Sequence, residues 1–321
     1  MSEAVGVDVG GTKIAAMRVG PEGAILERVQ EPTPVGDSAE AVLAAVESAA
    51  AAVIRPGVSV VGVGVPGLVE FATGILRFAP NLPFRDLPLK ARLERATGLP
   101  CQVDNDANVA AWAEFRMGAG RGSTDMLLVT VGTGIGGGIV SGGRMLRGSH
   151  GFAAEIGHFI VEPGGPLCGC GNRGCWEQVA SGRAIGRLGR EAAARDPGSL
   201  LATMAGGDPA QVSGLVVTGA ALRGDPVAVG ILAQVGGRLG EGIAGLVNIL
   251  DTEVVVVGGG AVAAGELLLG PAREVFQRTI EAPDHRPKVP LVAAQMGNDA
   301  GAVGAALLAL DELVGVGRGA P

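Results

Sequence analysis

One pattern occurs twice in this chain, and it restricts the folds open to it. Val5-Gly6-Val7-Asp8-Val9 is an apolar, strand-like run, Gly10-Gly11-Thr12-Lys13 turns the chain, and 14–19 reads as the returning strand. From Asp125 the order recurs: a strand over 126–131, a glycine turn over 132–138, and a return strand opening at Ile139-Val140. Glycines between two apolar runs favour a hairpin, because they reach backbone angles closed to other residues. A strand–turn–strand unit at the head of each half predicts two related α/β lobes facing one another across a cleft.

The intervening segments fit that layout. Ser38 or Asp37 can cap an Ala-rich helix over 39–53. The Val/Gly run at 58–65 has the continuity of a strand buried on both faces. Residues 71–90, with Pro80, Pro83 and Pro88, read as irregular before a short helix over 90–97. A strand ending at Gln102-Val103 should deliver residues 104–108 to a loop, followed by a helix over 108–117. In the second half a helix is expected from Ser181, a loose connection over 195–215 and a long helix over 226–248. A buried strand at 254–257 then leads through Gly258-Gly259-Gly260 into a helix ending near Ile280. A last strand at 289–293 precedes a helix capped by Asp299 and running to Leu313, and the tail beyond it should fray. This divides the chain into an N-terminal lobe, 1–115, onto which the final helix in 299–321 should pack, and a larger lobe, 116–298.

Composition excludes several classes. The 321 residues are 47% hydrophobic, with no apolar run long enough to span a bilayer. A formal charge of −7 and a pI near 5.1 argue against nucleic acid or an anionic membrane as partner. Such a chain must bind phosphates through backbone N–H groups and helix ends. No basic, apolar leader precedes Val5, so a reduced, cytoplasmic setting is expected.

Three of the four cysteines lie within Cys168-Gly-Cys170-Gly-Asn-Arg-Gly-Cys175, and His158 sits just upstream. Cys3His is the ligand set of a closed, structural zinc site. Gly169, Gly171 and Gly174 stand where the ligands need tight turns. A disulfide or free core thiols are the alternatives, but a Cys-x-Cys pair does not easily bond to itself and nothing points to export. Zinc is the preferred reading.

Asp8 and Gly10-Gly11-Thr12-Lys13 read as a phosphate hairpin, with Asp8 near the metal that accompanies a nucleotide, although such turns also serve as plain hairpins. Gly132, Gly134 and Gly137 spell Gly-x-Gly-x-x-Gly, but a strand follows where a dinucleotide site needs a helix. Gly258-Gly259-Gly260 does stand between strand and helix, and suits a dinucleotide or an adenosine. Asp104-Asn105-Asp106-Ala107-Asn108 supplies four polar residues where helix capping, by Asp106 or Asn108, needs one. A carboxylate there is placed to serve as general base for a substrate hydroxyl. Glu155, His158 and Glu177 add donors and acceptors suited to a polyhydroxylated ligand. Their plainer readings are a surface residue for Glu177 and a metal ligand alone for His158.

These motifs together resemble the ROK family (repressors, open reading frames and sugar kinases), most closely its bacterial ATP-dependent glucokinases. The likeness rests on DVGGTK at 8–13, DNDAN at 104–108, TVGTGIGGG at 130–138, EIGH at 155–158, CGCGNRGCWEQ at 168–178 and VVVGGG at 255–260. It implies a two-lobed, actin-like (ribonuclease H-like) α/β fold that binds ATP with Mg2+ between its lobes, and a dimer or tetramer. Asp106 matches the catalytic base. Gly67, Asn81, Asn105, Glu155, His158 and Glu177 match the sugar ligands and their neighbours. Asp8, Gly10, Gly11, Thr12, Lys13, Thr133, Gly134, Gly136, Gly137, Gly258, Gly259 and Gly260 fall to the nucleotide. His158, Cys168, Cys170 and Cys175 match the Zn2+ set. The implied reaction is phosphorylation of glucose at its 6-hydroxyl. N-acetylglucosamine or N-acetylmannosamine kinase, or a non-catalytic sugar sensor, are the alternatives. The family's repressors begin with a helix-turn-helix, for which there is no room before Val5.

Overall fold

The opening hairpin forms as the sequence predicts. In the computed structural model, which describes residues 2–34, 36, 38–80 and 82–315, Glu3–Val9 pairs antiparallel with Lys13–Val19, Asp8 opposite Ala15. Ile25–Pro32 continues the sheet beyond the return strand. On the other side Val58–Val65 and then Cys101–Asn105 add in parallel, setting Val7, Val63 and Val103 in one row and Asp8, Gly64 and Asp104 in the next.

Side chains alternate across each strand, so the two faces take different neighbours. Val5, Val7, Val61 and Val63 bury against Val42, Leu43 and Val46 of helix Ala39–Ala52 and Leu93 of helix Leu89–Thr97. Each such side chain contributes ~1.5–3 kcal/mol by leaving water. Ser38 caps the first of these helices, its hydroxyl accepting from Ala41 N, while Asp37 lies outside the described residues. The opposite face lets a helix lie on bare backbone: a Cβ at Gly62 would stand 1.8 Å from the carbonyl oxygen of Ala305 in helix Ala300–Ala309. That helix crosses helix Asp106–Met117 as closely, with Gly304 against the carbonyl of Val109.

The second sheet repeats the first. Its order is Arg144–Met145, Ile135–Ser141, Met126–Val131, Val254–Gly258, Leu291–Ala293. Return strand and outer strand again flank one side of the leading strand, and two later strands the other. The internal repeat is therefore real. By compactness the chain forms two units, one of Met1–Leu128, Gly138–Ala154 and Ala294–Pro321, the other of Val129–Gly137 and Glu155–Ala293. The boundary expected at 115/116 falls inside the first. Helices Gly182–Arg195, Gly214–Leu222, Pro226–Leu250 and Glu266–Thr279 belong to the second. Among the described residues no single helix is long and apolar enough to cross a membrane.

Several expectations need correction. The stretch 71–90 is not wholly irregular: Leu68–Glu70, Ile75–Phe78 and Arg85–Leu87 form a small antiparallel sheet, with Pro80 and Pro83 between its last two strands and Pro88 leading into helix Leu89–Thr97. Residues 104–108 form no loop, because the strand runs to Asn105 and the helix starts at Asp106. The second glycine turn ends at Gly134, and Gly136, Gly137 and Gly138 lie in a strand. Asp299 does not cap the last helix with its side chain; its carboxylate accepts from Arg28 Nη2 at 2.9 Å instead. Regular α-helix there ends at Ala309 and gives way to a π turn, Leu310–Val314. The tail from 316 lies outside the described residues.

Candidate active site

In the first unit the candidate residues gather at one end of the sheet. Gly10 N donates to Lys13 O at 2.9 Å to close the hairpin turn. Thr33 ties the turn to the third strand, its hydroxyl donating to Gly10 O at 2.7 Å and its N–H to Thr12 O at 3.1 Å. Asp8, in the row with Asp104, is half-buried, and its carboxyl is pushed up to about 6. Burial is the main cause, and the charge of Asp106 adds to it against the opposing pull of Lys13.

Neither Asp106 nor Asn108 caps the following helix. Asn105 does, its Oδ1 accepting from Ala107 N at 2.8 Å and Asn108 N at 3.3 Å. Its Nδ2 donates to Gly67 O at 3.2 Å, which leaves one hydrogen for any ligand. Gly67 has φ +114, and a Cβ there would stand 2.0 Å from Phe78 O. Asp106 occupies the first helical position, where burial raises its carboxyl pKa and the N–H of Ala107, 2.9 Å from Oδ1, works the other way. Asn81 lies outside the described residues.

In the second unit the turn at 132–134 is closed by Gly132 N to Gly134 O at 3.0 Å and abuts the start of helix Gly182–Arg195, where Gly182 N donates to Gly132 O at 2.8 Å. Thr133 is exposed at its tip. Gly136 and Gly137 sit in pleated strand, so they supply no turn. Gly258 ends its strand, and Gly259, at φ +87, approaches Val131 so closely that a Cβ would lie 2.6 Å from its carbonyl oxygen.

The cysteine cluster closes as expected. Nδ1 or Nε2 of His158 and the three sulfurs of Cys168, Cys170 and Cys175 lie within 4.8 Å of one another. His158 Nδ1 is 3.6 Å from Cys168 Sγ, and Cys170 Sγ is 3.6 Å from Cys175 Sγ. A tetrahedral ion with bonds of ~2.0–2.3 Å sets its ligands about 3.3–3.8 Å apart, which the His158–Cys168 and Cys170–Cys175 separations match. The sulfur separation is far beyond a disulfide's ~2.05 Å. Backbone bonds shape the loop: Cys168 N donates to Asn172 O at 2.8 Å and Gly174 N to Pro166 O at 2.9 Å. Behind it the fully buried Trp176 donates from Nε1 to Arg238 O at 2.9 Å, fastening the loop to the long helix.

Glu177 is no ordinary surface residue. Its Oε1 is 3.1 Å from Cys168 Sγ, and its Oε2 would stand 2.3 Å from a Cβ at Gly134. One carboxylate thus touches both the cysteine loop and the glycine turn. Glu155 opens the 3-10 turn Ile156–His158, its carbonyl accepting from His158 N at 3.0 Å. Sequence reasoning missed Arg147 and left Asp104 without a role, although Arg147 Nε donates to Asp104 Oδ2 at 2.6 Å. It also passed over the buried Glu114, whose carboxylate accepts from the backbone N–H groups of Ala119, Gln295 and Met296.

The candidate set is thus divided, Asp8, Gly10–Lys13, Gly67, Asn105 and Asp106 in one unit and the rest of the described set in the other. Mixed sheets of repeated order, glycine turns at their heads and acidic groups beside them define an α/β fold of the sugar-kinase kind. The chain belongs to the ROK family, whose profile matches residues 4–312. It is 42% identical to a glucokinase of Streptomyces coelicolor, over 96% of this chain and 98% of that one. The crystal structure of a ROK family glucokinase from Streptomyces griseus, in complex with glucose and AMPPNP, matches 96% of this chain and 99% of its own at a TM-score of 0.85 and 42% identity. An N-acetylmannosamine kinase of Escherichia coli is 37% identical over 95% of this chain and 98% of its own.

The contact between Gly134 and Glu177 makes a prediction. A methyl group at Gly134 has no room beside Oε2, so Gly134→Ala should displace the Glu177 carboxylate. Steady-state kinetics should then show KM for glucose raised about tenfold, together with any change in KM for ATP. A change confined to ATP would mean that the turn acts alone.

Proposed function

We propose that this chain is an ATP-dependent glucokinase, transferring the γ-phosphoryl group of ATP to the 6-hydroxyl of glucose to give glucose 6-phosphate and ADP. The near-full-length likeness to glucokinases, one solved with glucose and AMPPNP, carries the reading. The two sheets of matching order support the finer description of the fold as actin-like, of the ribonuclease H type.

Asp106 is the proposed general base. Its burial raises the carboxyl pKa, which brings proton affinity closer to working pH. The hairpin Gly10–Lys13 and the turn at Thr133 and Gly134 present N–H groups and a hydroxyl to phosphates, and Gly258–Gly260 is assigned to the nucleoside end. Gly136 and Gly137, which follow that turn at the start of the return strand, are assigned with it. Mg2+ accompanying the nucleotide supplies charge neutralisation at the phosphate oxygens, and Asp8 is the carboxylate suited to hold it. The sugar hydroxyls are assigned to Asn105, Glu155, His158 and Glu177, with Gly67 and Asn81 nearby. With His158 Nδ1 turned to Cys168, Nε2 is left for a hydroxyl. Zn2+ in the Cys3His set would be structural, a closed site with no open position.

Likeness to an N-acetylmannosamine kinase favours a second reading, with an N-acetylhexosamine as acceptor. A coupled assay of ADP release across glucose, N-acetylglucosamine, N-acetylmannosamine, mannose and fructose decides between them. Glucose should lead in kcat/KM by at least about tenfold. A lead for an N-acetylhexosamine selects the second reading. Glucose binding with no ADP released would make the chain a sensor.

A further inference from the structure

Asp104 is a buried carboxylate two residues before the proposed base, and all its visible work is on the segment that carries that base. Its Oδ1 accepts from Asn105 N at 2.8 Å and from Asn108 Nδ2 at 2.8 Å, so one oxygen grips both flanks of Asp106. Its Oδ2 takes the Nε of Arg147 at 2.6 Å. Side-chain exposure is 3% for Asp104 and 11% for Arg147. A carboxylate this deep needs its cation, because without one it is drawn to turn toward water, which releases Oδ1 from its two donors.

Arg147 is itself held from three sides. Its guanidinium carbon is 3.8 Å from the centre of the Phe71 ring, and Nη2 is 2.8 Å from Glu312 Oε1 in the terminal π turn. Its carbonyl accepts from Ala153 N at 3.1 Å, closing the loop that leads two residues later to Glu155. That loop is seated on the small sheet, where Phe71 N donates to His150 O at 3.4 Å. A flat guanidinium can bond two carboxylates and stack on a ring at once, whereas an ammonium acts as a single point charge.

We infer that Arg147 is a positioning residue for phosphoryl transfer: through Asp104 it fixes the Asn105–Asp106 junction. The inference rests on the glucokinase reading for its kinetic consequence, and on geometry alone for its structural one. The side-chain contacts of Arg147 run to Asp104, Phe71 and Glu312 rather than to the hairpin Gly10–Lys13, so the sugar side of the reaction should suffer more than the nucleotide side.

The test is Arg147→Lys, with Arg147→Met beside it. Misplacement of reacting groups by a fraction of an ångström should lower kcat about tenfold in Arg147→Lys and raise KM for glucose severalfold, with KM for ATP within about twofold of the parent. A purely structural defect would reduce the active fraction and leave both KM values unmoved. Hydrogen exchange supplies a readout independent of activity: amides at 105–108 should exchange at least about tenfold faster, with 60–63 unchanged. If Arg147→Met fails to fold, Arg147→Lys decides. Parental kcat, parental KM for glucose and parental exchange at 105–108 in Arg147→Lys would overturn the inference. Asp106→Asn, assayed in parallel, separates the two failures. Parental turnover there removes the base and leaves the exchange result to judge Arg147, whereas an inactive Asp106→Asn beside a fully parental Arg147→Lys removes Arg147 alone.

Discussion

Asp106→Asn is expected to lower kcat at least ~100-fold, because positioned general bases contribute 10²–10⁴ in rate. The substitution is sparing elsewhere. Asparagine keeps an oxygen for the N–H of Ala107, so the first turn of the helix survives, and Asn105 still caps it. A half-buried charge is removed rather than added, so thermal stability should hold. The proposed metal ligands belong to the other unit, so any zinc content should stay at the parental level. A second readout follows from the acid pair. The charge of Asp106 helps push the Asp8 carboxyl up to about 6, so its removal must lower that value toward the ordinary carboxylate range. Carboxyl-carbon NMR titration of the ligand-free protein, with Asp8 assigned, measures the shift. Near-parental turnover would strip Asp106 of its role, and an unmoved Asp8 would mean that the two carboxylates do not share a field.

Where local chemistry decides structure, the sequence could be read. The two hairpins announce themselves because valine runs favour strands and the glycines between them favour a turn. The cysteine loop does so because four candidate ligands and five glycines within 18 residues leave little else to form. Glycine also misled. At 138 it serves as the residue that lets a neighbour approach, since a Cβ there would stand only 2.4 Å from that of Ala111. In the sequence that use looks the same as a turn. Asp299 has the form of a cap, but an arginine 271 residues away claims its carboxylate. Arg147 was beyond reach for the same reason. Its partners Phe71, Asp104 and Glu312 are scattered along the chain and meet only in the fold. The polar run at 104–108 was legible as a site but not in its division of labour, since any of its oxygens can cap a helix and only the backbone path selects Asn105.

Cys170→Ser is the other substitution expected to have a large effect, and its position makes it informative. Cys170 is exposed while Cys168 and Cys175 are buried, so its replacement opens no cavity and reports on the metal alone. A serine hydroxyl is a far poorer zinc ligand than a thiolate. Changes outside the ligand set already cost 10–100-fold in affinity, so loss of one of four ligands should lower zinc affinity at least ~100-fold. The expected consequence for sugar binding runs through the two proposed sugar ligands, Glu177, whose Oε1 lies 3.1 Å from Cys168 Sγ, and His158, the fourth member of the Cys3His cluster. Without an ion, the stretch 168–172 keeps its own turns and the contact of Cys168 with Glu177. Trp176 remains pinned to Arg238 O, so the far end of the loop keeps its place. KM for glucose should therefore rise about tenfold without binding being abolished. Metal analysis beside glucose kinetics checks the link. A zinc-free variant with parental KM for glucose would show that the loop holds its shape unaided, and the residues proposed to read the sugar would then owe their order to Trp176 rather than to a metal.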